Sequence, residues 1–118
     1  MNMNSLNKKS GTNQAINKIK FKAYKMFLQT LAADTRLKII QVLEKKPLCV
    51  NEIVTLTGYE QTLISHHLKV LQHHGMVFVE KRGKFKYYTV NQQTIQPLLW
   101  LIDAHTKQYC CKIVEGKR

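Results

Sequence analysis

The hydrophobic period of residues 60–90 changes once, and that change limits the folds open to the chain. In "EQTLISHHLKVLQHHG", Ile64, Leu68 and Leu71 recur at i, i+4 and i+7, the spacing of one helical face, and Gly75 ends the run. "MVFVEKRGKFKYYTV" then alternates with period two around a tight turn at Arg82, Gly83 and Lys84, which predicts strand, turn and strand. Before both, "CVNEIVTLTGY" reads as a short helix with Val50, Ile53, Val54 and Leu56 inward, closed by Gly58 as a left-handed C-cap. Two short helices joined around a glycine and followed by a basic hairpin outline a winged helix-turn-helix, mainly α with a small β-hairpin.

The flanks supply the rest of the domain. Residues 1–13, rich in Asn, Lys, Ser and Gly, are expected to form a disordered basic N-terminal arm, and residues 14–118 a single DNA-binding and dimerisation domain. From Gln14 to about Thr30, Ile16, Ile19, Ala23, Met26, Phe27 and Thr30 share one helical side, while Lys18, Lys20, Lys22 and Lys25 lie mostly elsewhere. A second helix is predicted from about Thr35 to Lys45, capped by Asp34 or Thr35, burying Leu37, Ile39, Ile40, Val42 and Leu43 and stopped by Pro47. The last begins at Thr94, with Pro97 in its first turn, and "PLLWLIDAHTKQYCCKIVEG" continues it for about 28 Å. Its block Leu98, Leu99, Trp100, Leu101 and Ile102 is apolar on every side, more than a small domain can cover from one chain. Leu98, Leu99, Leu101 and Ile102 are therefore expected at a homodimer interface.

Charge then selects the partner. Nineteen Lys and Arg against seven Asp and Glu give a formal net charge of +12, which points to a polyanion. In the helix from Glu60 to His74 the outward side carries Gln61, Thr62, Ser65 and His66, with Lys69 a turn later. An amide can pair with the adenine edge, and hydroxyls and imidazole can meet bases or phosphates, so this face fits the major groove of double-stranded DNA. Lys81, Arg82, Lys84 and Lys86 at the hairpin tip would hold the adjacent backbone without reading sequence. The rival reading, a nonspecific basic nucleic-acid-binding protein, uses the same charges but not the polar face. No apolar run reaches the length of a membrane span, and the polar N-terminus lacks a secretory core, so a cytoplasmic protein without membrane contact is expected. Three cysteines, an odd number, agree with a reducing compartment. No phosphate loop or nucleophile with a placed base is legible, so no enzyme is expected.

"LAADTRLKIIQVL", "ISHHLKVLQHHGMV" and "KRGKFKYYTV" together resemble the bacterial ArsR/SmtB regulators over roughly residues 24 to 113. The resemblance implies a dimeric winged helix, with the N- and C-terminal helices forming the interface, that represses a promoter until an inducer weakens DNA binding, with base contacts at Gln61, Thr62, Ser65 and His66 on an inverted-repeat operator. It also allows each family sensor to be tested. The paired thiols at the start of the third helix reduce here to Cys49, with Asn51 in the second place. The zinc and nickel positions of the last helix fall on Gln92, Thr94, His105 and Gln108, of which His105 alone is a ligand type. A dithiol sensor would need a cysteine near Gln41. What remains is Cys110 and Cys111, with Cys49 as a third thiolate if the fold brings it near, a set suited to trivalent arsenic or antimony or another soft metal as inducer. No cofactor is required by this reading, and a winged-helix regulator with no metal or thiol sensing is its alternative.

Overall fold

A computed structural model describes residues 10–116 of the chain, and side chains from residue 13 onward; the first nine residues of the expected N-terminal arm lie outside the described residues. The chain divides into two compact units, residues 1–33 and 34–118. Among the described residues the first contains one helix, α1 (Ser10–Ala32). It starts four residues before Gln14, because a single glycine costs a helix only about 1 kcal/mol and the long run behind it carries the helix through. Ile16, Ile19 and Met26, expected on the apolar side, are exposed in the single chain, as are Phe21, Tyr24 and Leu28; Thr30 and Leu31 are buried.

The second unit runs α2 (Asp34–Leu43), α3 (Val50–Thr57), α4 (Gln61–His73), β1 (Val77–Arg82), β2 (Phe85–Val90) and α5 (Ile95–His105), then a π-helical turn (Thr106–Cys110) and α6 (Cys111–Val114). α2, α3 and α4 pack on one another, β1 packs on α4, and β2 on α2 and α3. Ile39, Ile40, Leu43, Ile53, Ile64, Leu68, Leu71, Met76, Val77 and Val90 form the core between them. Each such aliphatic side chain contributes about 1.5–3 kcal/mol by leaving water. Leu37 and Leu56, expected inside, are 43% and 60% exposed, because each lies well round its helix from the arc that meets the core.

Local chemistry explains the element ends. The Gly58 N–H donates to the Val54 carbonyl at 2.8 Å with φ +76°, a left-handed backbone that closes α3 as expected. At the other end of α3 the Cys49 N–H donates to Glu52 Oε1 at 3.0 Å, and this bond, more than any other influence, holds the Glu52 carboxyl below the usual carboxylate range. Thr94 precedes α5 as predicted, but the capping oxygen is that of Asn91. Its Oδ1 accepts from the Gln93 and Thr94 N–H groups at 2.9 and 3.2 Å, and its Nδ2 donates to the Gly75 carbonyl at 2.9 Å. One side chain thereby ties the end of α4 to the start of α5.

Leu48 is fully buried and exchanges two backbone bonds with Tyr88, at 3.0 and 2.8 Å, so the loop after Pro47 adds a short third rung that pins the hairpin to the helices. The single long terminal helix of the sequence reading is interrupted: the bonding pattern widens to a π turn over Thr106–Cys110.

Candidate nucleic-acid interface

α4 presents two opposed faces. Ile64, Leu68 and Leu71 are buried, while Gln61, Thr62, His66 and Lys69 are exposed and Ser65 is half-buried on the flank. All five expected contact residues of this helix thus stand away from the core, and no carboxylate interrupts them between Gln61 and His73. His73 continues the line, one heptad beyond His66 and exposed; i, i+7 spacing could have disclosed it. Because the buried face anchors in three layers of aliphatic side chain, the polar face is carried on a rigid element.

Neighbouring His67 has a different task. Arg36 of α2 donates from Nη1 to His67 Nδ1 at 3.2 Å, which requires a neutral imidazole at that nitrogen. Burial, then the Arg36 charge, then His66 lower the His67 pKa from the ordinary 6.5. The unfolded chain therefore takes up this proton first. Stability is full above about 6.5 and declines as the pH falls from there toward the lowered folded value. An NMR titration of the imidazole resonances is expected to place His67 below 6.5 and Arg36→Met to move it upward; a midpoint at or above 6.5 in the unsubstituted chain would contradict this geometry.

The wing is a two-residue hairpin. Arg82 pairs with Phe85, leaving Gly83 and Lys84 as the loop, and Gly83 at φ +61° occupies the first loop position, as a type II′ turn requires. Alternation sorts the side chains into two faces. The inner one, continuous with buried Val77 and Val90, carries Lys81 directly opposite Lys86 at the tip. Like charges placed opposite one another weaken a strand pair, so this pair favours an anion between or beside them. Arg82 lies on the outer face, its guanidinium 3.3 Å from Glu80 Oε2 and 5.0 Å from the Tyr87 ring centre. Both partners are weak at an exposed site, and a phosphate can replace the carboxylate at little cost. Lys81, Arg82, Lys84 and Lys86 are all exposed.

The thiols are dispersed by comparison. Cys49 is half-buried at the N-cap of α3, Cys110 half-buried at the end of the π turn, and Cys111 exposed. Among the described residues no three His, Cys, Asp or Glu side chains gather as metal ligands, so Cys49 does not join Cys110 and Cys111 within one chain. In the expected interface block Leu99 is 9% exposed and belongs to the subunit's own core, and Leu98 is half-buried. Leu101 and Ile102 are exposed with Trp100, at 68%, 43% and 62%, and open onto a groove with Ala104, His105, Gln108 and Tyr109. Among the described residues no helix is long and apolar enough to cross a membrane.

Comparison with known proteins follows the same outline. The pattern of the bacterial regulatory proteins of the arsR family matches residues 33–78, from the start of α2 into β1. The HTH-type transcriptional regulator NmtR of Mycobacterium tuberculosis is 35% identical over 72 residues, 61% of this chain but only 60% of that protein. An uncharacterized HTH-type transcriptional regulator of Methanocaldococcus jannaschii is 33% identical over 70 residues, 58% of this chain and 79% of that one. In three dimensions the chain resembles a homodimeric winged helix-turn-helix DNA-binding domain from Mycobacterium bovis, with a TM-score of 0.71, 22% identity and coverage of 86% and 91% of the two chains.

Proposed function

This chain belongs to the arsR family of bacterial regulatory proteins, and from that premise we propose that it is a homodimeric DNA-binding repressor of transcription. The observation that carries the proposal is the polar face of α4, free of carboxylates and largely exposed, set opposite its buried aliphatic face and beside a basic wing. In this reading Gln61, Thr62, Ser65 and His66 meet base edges in the major groove, Lys69 meets phosphate, and the wing lysines hold the flanking backbone. The exposed Trp100, Leu101 and Ile102 supply the apolar surface that a second copy covers. Two-fold symmetry then requires inverted half-sites about 10 bp apart, centre to centre. Selection from a random duplex pool by the pure protein tests this: enrichment of an inverted repeat is expected, and a pool that stays random, or a lone half-site, would contradict it.

For release we propose the adjacent thiols of Cys110 and Cys111, at the junction of the π turn and α6, as the site of a thiophilic trivalent metalloid. They follow α5, whose exposed residues serve dimerisation in this reading, so a ligand bound there bears on subunit pairing. Arsenite is expected to weaken operator binding by the native chain and not by the Cys110→Ser, Cys111→Ser variant. Equal affinity of the native chain with and without arsenite removes the sensor and leaves the repressor.

A further inference from the structure

We propose that α1 carries a second DNA contact, a lysine stripe that grips phosphates of duplex DNA; the inference rests on the repressor reading above. Lys18, Lys22 and Lys25 stand at i, i+4 and i+7, and all three are exposed. Helical spacing puts them on the side of α1 opposite Ile16, Ala23, Phe27 and Thr30. Residues 1–33 contain no Asp or Glu, so no acid of this unit faces the stripe, and Gln14 and Gln29 extend the same side without charge.

Two arguments turn a charged face into a site. Like charges at i, i+3 and i+4 destabilise a helix, and a merely solvated face ordinarily intersperses acids. A face that keeps three aligned lysines without one acid is matched to an external polyanion. The dimensions agree as well: Lys18 to Lys25 spans about 10 Å of helix axis. One DNA strand presents about three phosphates over that length, at about 3.4 Å each. Long, flexible lysine side chains can reach phosphates over that length without matching their spacing. Compact, rotatable lysine charges suit backbone contact and carry no base code, so this surface adds affinity without sequence preference.

The test compares the full-length native chain with Lys18→Gln, Lys22→Gln, Lys25→Gln and, separately, with the wing variant Lys81→Gln, Lys84→Gln. Binding to a fluorescent duplex of random sequence, longer than two half-sites, is followed by anisotropy between about 50 and 200 mM KCl. The α1 variant is expected to flatten the slope of log K against log salt by about 2.7 per subunit, and to bind ~10²-fold more weakly or worse at the low-salt end. Circular dichroism is expected to show undiminished helix, since the substitution relieves repulsion. An unchanged slope in the α1 variant beside a flattened one in the wing variant overturns the inference and leaves the repressor standing. Failure of the native chain to bind duplex DNA at all defeats both. Loss of binding to phosphatidylserine vesicles with an unchanged DNA slope would assign the stripe to a membrane surface and overturn it too.

Discussion

Alanine at Gln61, Thr62, Ser65 and His66 together is expected to collapse the preference for operator over unrelated duplex DNA by about a thousandfold. A good pair between a side chain and a base edge is worth about 1–3 kcal/mol, and two such pairs among the four already give that factor. Nonspecific affinity should change little, because phosphate contacts from Lys69 and the wing supply it. All four residues lie outside the core, so thermal stability is expected to stay close to that of the native chain. Anisotropy titrations against operator and scrambled duplexes give the ratio directly. A ratio that survives the fourfold substitution would mean that α4 does not read sequence, and the protein would be a nonspecific basic binder using the same charges.

The second large effect concerns assembly. Trp100→Glu with Leu101→Glu places two carboxylates in the middle of the exposed apolar face of α5. The variant is expected to sediment as a monomer where the native chain sediments as a dimer. It should also bind operator ~10²–10⁴-fold more weakly, since the second half-site contact is no longer tethered to the first. Neither side chain is part of the subunit's core, so the fold should persist; Leu99, buried in its own chain, would not serve as a probe for that reason. A native chain that is monomeric at micromolar concentration, or a double variant that remains dimeric, would refute the assignment of this face.

What could be read from the sequence follows from where each signal is stored. α3, α4 and the hairpin were legible because their signals are local: a 3.6-residue stripe, glycines at Gly58 and Gly83, and a switch to period two. The outward polar set on α4 followed as the complement of Ile64, Leu68 and Leu71. Contacts distant in sequence were not legible. The Leu48 to Tyr88 rung, the Arg36 to His67 bond and the Asn91 bridge to Gly75 join segments 16 to 40 residues apart, and no periodicity encodes them. Leu37, Leu56 and Leu99 show the same limit in burial: an apolar residue at an element's edge goes in or out according to a neighbour that the sequence does not name. Arg82, one of the tip cations expected to hold the DNA backbone, also meets Glu80, two residues back on the same strand face, and Tyr87 across the ladder. The period-two rule, applied to charge as well as to hydrophobicity, would have disclosed that pair.

The most direct test replaces His66 with p-benzoylphenylalanine and maps photocrosslinks on the selected operator. If α4 turns its polar side into the major groove in both subunits, adducts fall on bases at two positions related by the operator's two-fold axis. Adducts confined to one position, to the sugar-phosphate backbone, or to protein would contradict that placement.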